Sequence, residues 1–203
     1  MHAVGILVVA FAAGSIPFSY FAARRTRGVD LRRVGTGTVS GTALYRVAGF
    51  GPLAVAGVLD VAKGAAGPAL ATAAGRPALA AVACGAAVAG HNWSPFLRGA
   101  GGRGISPALG APLVVAWPGA VLLLAGMILG RVVRETALGA LVAEVALTPV
   151  LAVTHGATGA LAGVAVAVPM LVKRVVGNSR PAPPRAQTYL TRLLYDRDER
   201  VAA

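Results

Sequence analysis

Apolar residues run through 3–23, 50–73, 77–90, 105–130, 136–154 and 157–172, and the polar residues are gathered into the short stretches between them. Runs this long leave no polar face for a surface helix, so each reads as a helix set in lipid or buried on every side. The pattern predicts an all-α, polytopic integral membrane protein. Alanine and glycine dominate the runs, which lets helix backbones approach closely. Pro17, inside GSIPFSY at 14–20, is expected to kink or locally unwind the first span. After 173 the chain turns polar and basic. The division expected is a membrane domain over 1–173 and a basic cytoplasmic tail over 174–203, with PAPPR at 181–185 ending any helix and YLTRLLYDRDER at 189–200 suited to a short amphipathic helix on the membrane surface.

The run at 105–130 decides the topology. Arginines cluster at 24–46, at 98–103, at 131–134 and from 173 onward, and short cytoplasmic loops collect Lys and Arg. With all four clusters inside, the chain crosses twice between 105 and 130, too short a stretch for two full helices of about 20 residues each. Pro107, Pro112 and Pro118 offer breaks into two short or re-entrant pieces. That reading gives about seven transmembrane helices, with the N-terminus outside and the C-terminus cytoplasmic. The alternative is one long helix and six crossings, with Arg131 and Arg134 outside. MHAVGILVVAFAA at the start lacks a positive leading region, and Arg24, Arg25 and Arg27 follow it, so the first span is expected to be retained.

Composition sharpens this picture. Of 203 residues, 56% are hydrophobic and only 13% charged, while the net charge is +12. A basic excess can mark a nucleic-acid binder, but here the arginines punctuate apolar runs instead of covering a polar domain, which argues for membrane orientation and against nucleic acid. The single cysteine, Cys84, lies in an apolar run and cannot form an intramolecular disulfide.

Three polar constellations interrupt the pattern. In GVDLRRVGTGTVSGTALYR at 28–46, Gly35 and Gly37 bracket Thr36, Thr38, Ser40 and Thr42 follow, and Arg46 lies about one turn past Thr42. Small hydroxyls and unpaired backbone N–H groups suit an anion-cradling nest, most of all if a helix begins at Thr42. A plain inner loop obeying the positive-inside rule fits the same residues. In DVAKG at 60–64, Asp60 and Lys63 stand i,i+3 inside an apolar span, where they can pair. Ionisable residues in a span point to function, although structural pairing or a snorkelling Lys63 would suffice. In GHNWSPFLRGAGGRGISPALG at 90–110, His91 precedes a loop carrying Arg98, Gly101, Gly102, Arg103 and Gly104. No strand precedes GAGGRG, so a nucleotide-binding glycine loop fails. A guanidinium between glycines still suits a phosphate or an acyl-phosphate carbonyl. An isolated histidine is more often structural than catalytic, but beside a basic glycine loop His91 reads equally as either.

The sequence has no HExxH, paired cysteines, acidic cluster or GxSxG elbow, so no metal and no cofactor is expected. Chemistry would rest on positioning and cationic stabilisation.

Taken in order, GSIPFSY, GTGTVSGTALYR, DVAKG and GHNWSPFLRGAGGRG resemble the bacterial acyl-phosphate:glycerol-3-phosphate acyltransferases, the PlsY family. The resemblance covers 14–110, continues weakly through TALGA at 136–140, and reaches Arg174 and Asn178, which fit an R-H-x-x-N pattern. Thr36 stands where the family has serine, Thr38 and Ala43 where it has asparagines, Arg103 where it has lysine, and Val175 where it often has histidine. The resemblance implies transfer of an acyl group from acyl phosphate to the 1-hydroxyl of glycerol 3-phosphate at the cell membrane, giving lysophosphatidate for phospholipid synthesis. It implies that His91, Asn178 and Thr36 serve catalysis, and that Gly35, Gly37, Thr42, Arg46, Lys63, Gly101, Gly102, Arg103 and Gly104 bind substrate phosphate. Membrane lipid would surround the acyl chain. Two other readings remain open at this point: a non-catalytic paralogue binding a lipid phosphate or a partner protein, and a small transporter using Asp60 and Lys63.

Overall fold

The computed structural model describes residues 2–178 and 186–196; PAPPR at 181–185 and the last part of YLTRLLYDRDER, from 197, lie outside the described residues. Those described are helical, with no strand among them. The first span is two helices, α1 (Ala3–Ser15) and α2 (Phe18–Arg27). The break falls at Ile16 and Pro17, as the proline predicts, and Ser15 closes the first half. Gly28, at φ +69°, ends α2 in the left-handed conformation that glycine adopts without cost.

After a 3₁₀ turn at Leu31–Arg33 comes the short α3 (Gly41–Ala48), which starts one residue earlier than the Thr42 start considered above because Ser40 caps it by accepting from the Ala43 N–H. It is amphipathic: Leu44 and Ala48 are buried while Tyr45 and Arg46 are exposed. Then follow α4 (Phe50–Ala73) and α5 (Pro77–Asn92).

The 105–130 run is divided, as the charge pattern requires, into α6 (Ile105–Val115) and α7 (Pro118–Val132). The division falls at Ala116–Trp117, just before Pro118. Pro107 sits in the first turn of α6, where its missing N–H has no helical partner to lose, and Pro112 is accommodated inside the helix.

α8 (Thr136–Val176) is a hairpin. His155 and Gly156 leave helical dihedrals, and the two arms fold back so that Gly163 packs on Thr148, Gly159 on Leu151, and Arg174 reaches Glu144 and Ala137. Each arm is about 30 Å long at 1.5 Å per residue, enough to cross the hydrocarbon core. α8 runs past the boundary expected at 173 to Val176, and a last helix, α9 (Ala186–Tyr195), packs against it.

The helices meet through small residues. A side chain on Gly14 would strike the Ala87 backbone, one on Gly64 the Pro107 backbone, and one on Gly110 the Val61 carbonyl. A core of Cys84, Val88, Leu123, Leu147, Leu151, Val166 and Met170 lies between α5, α6, α7 and α8. A second cluster, Leu31, Val39, Leu44 and Leu97 with Ala23 and Ala56, pins the polar loops onto the helix ends. Outside, large apolar side chains stand exposed on most spans: Val8, Val58, Val121, Ile128, Val145, Val153 and Val168. Apolar surface on this scale marks contact with another phase, here a bilayer.

Candidate functional site

Three polar segments that are distant in sequence meet at one end of the bundle. The Val39 N–H donates to the Gly101 carbonyl at 3.1 Å, and the Gly102 N–H to the His91 carbonyl at 3.2 Å. Asn178, just past α8, joins them: its amide NH₂ donates to the carbonyls of Gly37 (3.0 Å) and Gly101 (2.9 Å), and its oxygen accepts from the Gly101 N–H (3.1 Å). The close fit requires glycine at two places. Gly37 has φ +68°, with a Cβ only 3.0 Å from the Arg32 carbonyl, and a Cβ on Gly102 would run into the His91 ring nitrogen Nε2.

Beneath these loops is a pocket of about 200 Å³, its open mouth included, lined by Ser15, Pro17, Ser19, Val39, Asp60, Lys63, His91, Leu97, Gly101 and Gly102. The Pro17 break forms one wall. The Ile16 carbonyl there accepts from Lys63 Nζ at 2.5 Å as well as from the Phe18 N–H at 3.2 Å, and the Ser15 carbonyl accepts from the Ser94 hydroxyl at 2.6 Å. Lys63 and Asp60 form an ion pair at 2.6 Å with both side chains only 3% exposed, and the Ser19 hydroxyl donates to Asp60 at 3.3 Å. Lys63 therefore does not snorkel. It is held in the pocket wall.

The candidates fall into groups. His91, Lys63, Gly101 and Gly102 share the pocket, with Gly37 and Asn178 bracing it. Gly35 and Thr36 are exposed on the loop above, where the Thr36 and Thr38 hydroxyls are 3.0 Å apart. Thr42 and Arg46 are exposed on α3. Arg103 and Gly104 turn to the far side of the loop. Arg103 donates to the Lys173 carbonyl at 2.8 Å and pairs with Asp196 at 2.6 Å, while Gly104 caps α6 against Val88 and Met170. The structure thus does not bring Arg103 into the pocket lining, because α9 presents it with a carboxylate.

Sequence reasoning missed Ser19, Ser94 and Lys173 as neighbours of the site. The i,i+4 spacing of Ser15 and Ser19 across Pro17 was the one available signal. On the outer loop, two hydrogen bonds from Arg32 hold the Asp30 carboxyl down at about 2.

The fold and site define a class: a helical integral membrane protein whose loops at one end close a glycine- and cation-lined pocket. The model of the family described as glycerol-3-phosphate acyltransferase matches residues 4–179. The glycerol-3-phosphate acyltransferase of Synechococcus sp. (strain CC9902) is 37% identical over 172 residues, 82% of this chain and 84% of that one. Glycerol-3-phosphate acyltransferase 2 of Moorella thermoacetica (strain ATCC 39073 / JCM 9320) is 45% identical over 111 residues, 54% of this chain and 57% of that one. The crystal structure of PlsY, an integral membrane glycerol 3-phosphate acyltransferase, in its glycerol 3-phosphate form, superposes with a TM-score of 0.79 over 98% of this chain and 96% of that one, at 24% identity. This chain belongs to the glycerol-3-phosphate acyltransferase family, as the four motif blocks imply.

Proposed function

We propose that the protein transfers an acyl group from acyl phosphate to the 1-hydroxyl of glycerol 3-phosphate, giving lysophosphatidate and inorganic phosphate at the inner face of the plasma membrane. The observation that carries this reading is the closure of the loops over a buried cation, Lys63: the Asn178 amide ties the Gly37 and Gly101 backbones together, and the Gly102 N–H ties them to the His91 carbonyl. Its setting is a chain of about seven crossings, N-terminus outside, because the basic segments then share one side.

Acyl phosphate is an activated donor, so no enzyme nucleophile is required. The acceptor hydroxyl oxygen attacks the carbonyl carbon, the bond from that carbon to the bridging phosphate oxygen breaks, and phosphate departs carrying the electron pair. The hydroxyl proton leaves with it. The protein's part is to hold the two substrates in line and to meet negative charge on phosphate and developing oxyanion with fixed donors. Arg46 on the exposed face of α3 gathers the anionic substrates. Lys63 meets phosphate in the pocket, the Gly101–Gly102 backbone shapes the wall against which it sits, Thr36 adds a hydroxyl at its rim, and His91 orients the acceptor. Asn178 positions the loops; its hydrogen-bonding groups are already spent on backbone. Arg103 fastens the glycine loop to the end of α8.

The test is phosphate release from synthetic acyl phosphate by purified protein in nanodiscs, with and without glycerol 3-phosphate. Release that depends on the acceptor, and falls roughly a hundredfold in Arg46→Ala as expected for loss of a charged contact of about 3 kcal/mol, supports the reading. Release indifferent to the acceptor contradicts it.

A further inference from the structure

Lys173 is a buried cation that takes no part in the acyl-transfer steps. It lies in the last turn of α8, and the residue is 1% exposed. Its ammonium therefore does not reach water along its stem, as lysines near membrane surfaces commonly do. The acids around it are engaged elsewhere. Glu144 holds Arg174 at 2.7 Å, Asp196 holds Arg103 at 2.6 Å, and Asp60 holds Lys63 at 2.6 Å. Lys173 has no ion-pair or hydrogen-bond partner for its ammonium among the described residues. What it has is the Trp93 ring, 5.4 Å from Nζ to the centroid. A cation–π contact repays only part of the cost of taking an ammonium out of water. Among the described residues, the ion pairs of Arg103 and Arg174 with Asp196 and Glu144 thus leave the charge of Lys173 over.

The surroundings say what would balance it. The Asn92 amide donates to the Pro169 carbonyl at 2.7 Å and fixes the end of α5 against α8 one turn before Lys173. Arg103, in the glycine loop, donates to the Lys173 carbonyl. Trp93 and Arg103, which Lys173 touches, are chain neighbours of the pocket residues His91 and Gly102, so the lysine lies behind the loop that forms the pocket wall, outside the lining itself.

We propose that Lys173 is a phosphate-binding residue of the active site, resting on Trp93 when the site is empty and swinging its ammonium onto substrate phosphate oxygens when it is filled. This rests on the acyl-transfer reading. It supplies the cation that Arg103, turned to Asp196, does not present to the pocket. Lysine suits the task because its ammonium rides on a flexible stem. The phosphate can belong to glycerol 3-phosphate or to acyl phosphate.

Trp93 reports the movement directly. In a Trp117→Phe background, Trp93 is the remaining tryptophan, and its emission is titrated with inorganic phosphate, glycerol 3-phosphate and a non-hydrolysable acyl phosphonate. A saturable change with phosphate and with at least one substrate-like probe, abolished in Lys173→Met and kept in Lys173→Arg, is expected. The probe that responds names the substrate. In parallel, KM for that substrate should rise roughly ten- to hundredfold in Lys173→Met, as for loss of a charged hydrogen bond, with KM for the other within about twofold. Emission indifferent to all three probes overturns the proposal without needing the variant to fold. So does a Lys173→Met protein with both KM values unchanged. If acyl transfer is absent but Lys173-dependent phosphate binding persists, the anion site stands and the acyl-transfer reading falls. Active enzyme with a silent Trp93 does the reverse.

Discussion

Asp60 and Lys63 hold each other inside a span with almost no water to screen them, so removing one leaves the other charged and uncompensated. Lys63→Met is expected to cost about 3–5 kcal/mol, and the double variant Asp60→Asn, Lys63→Met less than the single one, because both charges then go together. Chemical denaturation in detergent measures both. A double variant no more stable than the single one would contradict the pairing. Their i,i+3 spacing made the pair legible in the sequence, whereas the Ile16 carbonyl that completes it was not, since that acceptor exists only because Pro17 opens the helix. Asn178→Ala should lower acyl transfer at least about tenfold by loosening the loop alignment, with helix content unchanged by circular dichroism. On the surface, Asp30 is held below its ordinary value by Arg32, so the pair stabilises the loop above pH 3.8 and that support is lost as pH falls through about 2. Lying at the surface with Arg32 about a third exposed, the pair is screened by solvent and amounts to under about 1 kcal/mol. Asp30→Asn should remove this acid sensitivity of the melting curve and little else.

At the level of elements, α6, α7 and the α8 hairpin show why an apolar pattern carries so much of a membrane fold. Pro118 and the four arginine clusters predicted a divided 105–130 segment, and His155–Gly156 falls in the gap between two apolar runs. The hairpin turns on Gly156, at φ +59° and ψ −147°, a region open essentially to glycine alone. Gly156→Ala is expected to cost about 1–3 kcal/mol, seen as a lowered melting temperature, with the arms still paired through Arg174 and Glu144. An unchanged melting temperature would contradict a tight turn there. A short amphipathic helix was expected in YLTRLLYDRDER, but on the membrane surface; α9 packs against α8 instead, and the consequence of that packing was not foreseen. Asp196 meets Arg103 only after α8 and α9 are packed together, and nothing local to either residue announces it. The resemblance implies that Arg103 is a phosphate ligand; tertiary structure also gives it a carboxylate partner.

The whole molecule is polarised. Loops 28–40 and 93–104, the end of α8 and α9 gather the charged groups at one end, while the turns near Arg76, Trp117 and His155 occupy the other. In a Cys84→Ser background, single cysteines at Arg76 and His155 should react with an impermeant maleimide from outside intact cells, and one at Arg131 only after permeabilisation. Labelling of the Arg131 position from outside would reinstate six crossings. The central claim is that the loops, bound together by Asn178 over His91 and Lys63, carry out acyl transfer. The most direct test is mass-spectrometric detection of lysophosphatidate formed from acyl phosphate and isotope-labelled glycerol 3-phosphate by the purified protein, with Gly102→Ala beside it. The account predicts labelled lysophosphatidate from the wild type and almost none from Gly102→Ala, whose new methyl takes the space of the His91 ring. No product from a folded wild-type protein, or undiminished product from Gly102→Ala, would contradict it.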